Sequence, residues 1–194
     1  DLQALSVYAL EDGEAVELVR SNYVKYAITD LDQDQKKELM VLRSDNQGEG
    51  VAEYYSWQDS GLLPTSTIRI SITMAELSQQ GRIISGVLRD EVPALFITGV
   101  AENAEAITDI LIVRDGELTN VVLSNMTGVS QVIAPFRSLY PSDMNNDGVT
   151  EVPQPVKMPG WGSGVTSDDG YRIDWYSYDS NGKGKIVMRT YHDM

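Results

Sequence analysis

A chain of 194 residues with 42% hydrophobic side chains has enough apolar material to bury a sizeable core. Its 29 acidic and 15 basic residues leave a formal charge of −14, a field that repels nucleic-acid backbones and anionic lipid heads and attracts divalent cations. Cysteine is absent and His192 is the only histidine, so disulfides, thiolate metal sites, cysteine nucleophiles and multi-histidine centres are excluded.

The predicted elements are almost all strands. The stretch 5–19, LSVYALEDGEAVELV, reads as a hairpin turning at Asp12-Gly13, a dipeptide suited to the positive φ angles of a tight turn. Further hairpins follow at 51–71 (turn Asp59-Ser60-Gly61), 107–124 (turn Asp115-Gly116) and 171–191 (turn near Asn181-Gly182). Before each of these three lies another pair of apolar runs: 26–29 with 38–43, 82–88 with 93–100, and 136–140 with 150–158. Each unit therefore reads as four antiparallel strands, giving a half unit at 5–19 and full units at about 26–71, 82–124 and 136–191. The spacing fits the roughly 40 to 50 residues of a propeller blade, lengthened by insertions. The segment 71–82 accommodates one short helical turn, 158–170 is the longest loop, and no domain boundary is evident, so 1–194 reads as a single all-β unit.

Two segments place oxygen-bearing side chains at positions 1, 3, 5 and 9 of a loop: Asp30, Asp32, Asp34 and Glu38, and Asp143, Asn145, Asp147 and Glu151. Calcium takes six to eight hard oxygen ligands, and such a loop can wrap one ion, with the backbone carbonyl of position 7 (Lys36 or Val149) completing the set. An EF-hand is excluded, since position 12 is Val41 or Gln154 instead of glutamate and both loops run into strands.

These loops and the hairpin rhythm resemble the FG-GAP or VCBS-type repeats of integrin-α-like β-propellers, in which a D-x-D-x-D-G-x-x-[DE] loop joins the first two strands of a blade and carries calcium. The resemblance implies a propeller-like array of about three and a half blades, part of a larger propeller, in a bacterial surface lipoprotein anchored by a lipid outside this chain. Gly148 matches the glycine at position 6, whereas Gln35 replaces it in the first loop, which makes the second loop the expected stronger site. The middle unit offers only Arg89, Asp90 and Glu91 at the corresponding place and is expected to bind no ion.

Aromatic residues supply the candidate ligand surface: Trp57 and Trp175 in matching hairpins and Trp161 in the glycine-rich loop, since a pyranose face stacks on a flat ring. The expectation is a non-catalytic extracellular or cell-surface binding or scaffold module with calcium-stapled loops and a protein or glycan partner. The alternative is a carbohydrate-active enzyme, or an accessory domain of one, using carboxylates near Trp161.

Overall fold

The computed structural model describes residues 3–59, 61–79, 81–100, 105–122, 130–131, 139–158 and 170–192. The chain is all-β, arranged as four antiparallel sheets that follow one another in sequence. Sheet I is the hairpin of β1 (Gln3–Glu11) and β2 (Glu14–Tyr23), with a bulge between Val7 and Tyr8. Its turn has Asp12 at φ 50° and Gly13 at φ 84°, both in the left-handed region that the Asp-Gly pair anticipates.

Sheet II is a meander of β3 (Lys25–Thr29), β4 (Glu38–Ser44), β5 (Gly50–Gln58) and β6 (Gly61–Arg69). The short helix α1 (Met74–Gln79) follows, opened by a reciprocal cap. The Glu76 amide donates to Thr73 Oγ1 (3.3 Å) and the Thr73 amide to Glu76 Oε2 (2.9 Å). Sheet III contains β7 (Arg82–Val87), β8 (Pro93–Val100), β9 (Glu105–Arg114) and β10 (Glu117–Asn120) in meander order, and β11 (Ser130–Gln131) also pairs with β9. Sheet IV has β12 (Val152–Met158), β13 (Gly170–Tyr178) and β14 (Gly184–His192).

Four sheets are described where the sequence suggested four units, and among the described residues the last has three strands where four were expected. Part of the expected first strand, 136–140, lies outside the described residues. What is described beside β12 is a single bridge between Ser142 and Glu151.

Three apolar seams join neighbouring sheets. Val19, Leu39, Val41, Tyr55 and Leu62 fill the one between sheets I and II. Met40, Leu42, Tyr54, Leu95, Ile97 and Leu111 belong to the seam between II and III, and Ala94, Phe96, Ile110, Ile112 and Tyr178 to that between III and IV. Successive residues of β4, β8 and β9 thus enter opposite seams, as the pleat requires. Strands covered on both faces must be apolar throughout, which is why they read LMVL, ALFI and ILIV in place of an alternating pattern. Among the described residues sheet I is packed on one face only, and Tyr8 and Leu10 on its other face are exposed.

Candidate metal centre

The loop 30–38 joins β3 to β4, the first two strands of sheet II, and is closed by the pair Thr29 and Glu38. Its backbone is held by its own side chains. The Leu31 amide donates to Glu38 Oε2 (2.8 Å), the Asp34 amide to Asp32 Oδ1 (3.1 Å), the Gln35 amide to Asp30 Oδ2 (3.1 Å) and the Lys36 amide to Asp34 Oδ1 (2.8 Å). Gln33 (φ 64°) and Gln35 (φ 70°) take left-handed conformations to make this turn. For Gln35, where the second loop has Gly148, that carries a steric cost of about 1–2 kcal/mol.

The second loop, 143–151, repeats this arrangement bond for bond. The Met144 amide donates to Glu151 Oε2 (2.9 Å), the Asp147 amide to Asn145 Oδ1 (2.9 Å), the Gly148 amide to Asp143 Oδ2 (2.9 Å) and the Val149 amide to Asp147 Oδ1 (2.8 Å). Asn146 (φ 59°) and Gly148 (φ 87°) occupy the two left-handed positions, and the Ser142–Glu151 bridge stands where Thr29–Glu38 closes the first loop.

The side chains differ. In the first loop one carboxylate oxygen from each of Asp30, Asp32, Asp34 and Glu38 lies within 4.8 Å of the others. Ligands around a single calcium, at 2.3–2.6 Å from it, are separated by at most about 5 Å, so this gathering fits one ion. Asp30 Oδ1 is buried without a hydrogen-bond partner, an oxygen that a cation would satisfy. Burial pushes the Glu38 carboxyl above the usual glutamate range; the Leu31 amide offsets part of this, and Asp32, Asp30 and Asp34 add to it. A cation would relieve each of these upward pressures.

In the second loop the carboxylates of Asp143, Asp147 and Glu151 do not form such a group, and the Asn145 amide nitrogen donates to Asp147 Oδ2 (2.9 Å). Glu151 is fully buried, with Oε1 unpartnered. Burial raises its carboxyl, the Met144 amide opposes this, and Asp147 and Asp143 reinforce it. The residues of the first loop therefore fit one calcium ion, whereas the carboxylates of the second are not gathered to the same degree.

At the corresponding turn of sheet III, Arg89 and Asp90 face protein. Arg89 Nη2 reaches Asp179 Oδ2 (2.8 Å), and Asp90 accepts from the Ser180 amide (3.1 Å) and hydroxyl (2.6 Å), clasping the β13–β14 turn.

Trp175 is buried (3% exposed) and donates to Thr190 Oγ1 (3.2 Å), so its ring is part of the interior. Trp57 is 39% exposed and donates from Nε1 to the Lys37 carbonyl (3.0 Å), which makes it a strut for the first loop. Trp161 lies outside the described residues. A cleft of about 490 Å³ between sheets I and II includes Tyr23, Arg43, Asp45 and Glu53. Burial alone would raise the Glu53 carboxyl, but hydrogen bonds from Arg43 (3.2 Å to each oxygen) and the Tyr55 hydroxyl (2.8 Å) outweigh it and hold the group below its usual range.

Trp57 was singled out from the sequence as a stacking ring and not as a strut for the first loop, and Tyr54 beneath the loop was not among the candidate site residues. Both sit on β5, and their relation to the loop exists only once β5 has paired with β4. No family model and no curated protein matches the chain.

Proposed function

We propose that the chain is a non-catalytic binding or scaffold module of propeller type, whose interstrand loops at 30–38 and 143–151 are stapled by calcium. The observation that carries this reading is the convergence of four carboxylate oxygens within 4.8 Å in the first loop, beside an unpartnered Asp30 Oδ1. Asp30, Asp32, Asp34 and Glu38, with the Lys36 carbonyl, hold the ion in one loop; Asp143, Asn145, Asp147 and Glu151, with the Val149 carbonyl, hold it in the other. The ion supplies charge neutralisation and a rigid turn at the head of a sheet.

Sheets stacked face to face in chain order support a propeller-type array, with the present chain as part of a ring. An extracellular or cell-surface setting suits sites of low affinity, which fill at the millimolar calcium found outside cells. The partner is a protein or a glycan, and Trp57, 39% exposed, is the described ring that would stack on it. A carbohydrate-active role would need a carboxylic acid of raised pKa in an open cleft. Among the described residues the raised carboxyls, Glu38 and Glu151, are buried in the loops, and Glu53 in the cleft is held low.

The test is calcium titration by calorimetry with melting curves in calcium and in chelator. Dissociation constants of roughly 10⁻⁴ to 10⁻³ M give about 0.4 to 1.4 kcal/mol per site at about 1 mM calcium. In melting temperature that is about 1 to 6 °C per site. Identical midpoints and no heat of binding would refute the calcium reading.

A further inference from the structure

Tyr54 is 1% exposed, and its hydroxyl has no hydrogen-bond partner, in a protein interior where such groups are almost always satisfied. Its place in the ladder points it toward the first aspartate loop. Tyr54 pairs with Met40 on β4, two residues from Glu38, so Tyr54 and Glu38 are diagonal neighbours on one face of sheet II. Burial first, then the charges of Glu38, Asp32, Asp34 and Asp30, make the phenol hold its proton more firmly than usual. The loop above it contains its own buried orphan, Asp30 Oδ1. The second loop has no such floor: the position equivalent to Tyr54 is Trp175, paired with Pro153 two residues after Glu151, and its nitrogen is already bonded to Thr190.

We infer that Tyr54 belongs to the first metal site, as the residue that receives a water bound to the inner side of the ion. The water oxygen coordinates the cation and one of its hydrogens is donated to Tyr54 Oη, while the phenolic proton remains on Tyr54. This completes a coordination shell that the four side chains and one carbonyl leave short of the six to eight oxygens calcium takes. The inference rests on the reading of loop 30–38 as a calcium site.

Tyr54→Phe tests it, because it deletes one oxygen and keeps the ring that fills the seam. The measurements are made in an Asp147→Ala background, so that the first loop alone responds to calcium. A tyrosine that receives the ion's water gives opposite effects in the two states: without calcium the melting temperature stays level or rises, and with calcium the dissociation constant increases about 3- to 10-fold. Unchanged calcium affinity in Tyr54→Phe overturns the inference and leaves the loop as a calcium site. A lower melting temperature without calcium also overturns it, since the hydroxyl is then a structural group with a protein partner. Absence of calcium binding in the Asp147→Ala background itself overturns the first-loop site, a result distinct from the other two.

Discussion

The loops 30–38 and 143–151 share four backbone hydrogen bonds and two left-handed positions, yet they solve the same turn with different chemistry. The first gathers four carboxylates and accepts a glutamine where the backbone calls for glycine. The second has the glycine but only three carboxylates, and its asparagine amide is turned to Asp147. Backbone comfort and cation affinity are therefore separable: a loop can be well suited to its turn and less suited to an ion, or the reverse.

They also differ in how they are seated. The second rests directly on sheet III, where the Thr150 amide donates to the Val87 carbonyl (2.9 Å) and a Cβ on Gly86 would collide with Thr150 Oγ1 and approach Phe96 to 3.0 Å. Gly86→Ala is expected to cost about 1–3 kcal/mol, through overpacking at a site that cannot move aside. In a chain of this length that is a drop in melting temperature of several degrees, and heat unfolding measures it. An unaltered midpoint would show that the second loop is seated only loosely.

Exchanging the residues at position 6 isolates the backbone term. A Cβ at Gly148 would meet nothing within 4 Å, so Gly148→Ala is expected to cost about 1 kcal/mol by conformation alone. Gln35→Gly removes that cost from the first loop but gives the unfolded chain more freedom, for a net gain of at most about 1 kcal/mol. Denaturant midpoints of the two variants should move in opposite directions. Movement in the same direction would mean that the two loops are not equivalent in strain.

The calcium comparison comes next in size. Asp34→Ala should remove more of the calcium-induced rise in melting temperature than Asp147→Ala, against the expectation from the glycine, because charge and convergence outweigh backbone comfort once the loop is formed. A site occupied by calcium would contribute about 0.4 to 1.4 kcal/mol at about 1 mM calcium. A larger loss in Asp147→Ala would restore the glycine argument.

Trp57→Phe removes the bond to the Lys37 carbonyl, a support for which no counterpart is described at the second loop. At a half-exposed position the expected cost is about 0.5 kcal/mol, read as a small drop in the melting temperature and a weaker calcium response of the first loop only. An equal change at both loops would argue against a local strut.

The smallest effect belongs to the sheet III turn, where a clasp stands in place of an ion site. Burial acts to raise the Asp90 carboxyl, but the Ser180 hydroxyl and amide prevail and leave it below the usual aspartate range. Stability from this bond is thus present above the unfolded value, near 3.9, and lost as pH falls through the lower folded one. Asp90 is exposed, so Asp90→Asn is expected to lower the melting temperature by roughly 1 to 2 °C at neutral pH, converging with the parent in acid. A difference that persists at low pH would contradict a role for the charge.

Much of the sheet plan was legible because its signals are local. Asp-Gly turns, unbroken apolar runs and the spacing of Asp30, Asp32, Asp34 and Glu38 depend on residues close in sequence, and the four sheets and the first carboxylate cluster follow them. Tertiary pairing decided the rest. Trp175 became interior and Trp57 a strut according to which face of a covered sheet each occupies. Tyr54 came to lie beneath the loop at 30–38 through the register of β5 on β4. The sequence by itself determined which segments are strands, where they turn and which turns carry alternate oxygen-bearing side chains, because backbone conformation and side-chain type act over a few residues. Only the tertiary structure decided which oxygens converge and which remain buried without a partner, because those outcomes depend on neighbours brought together by strand pairing and sheet stacking.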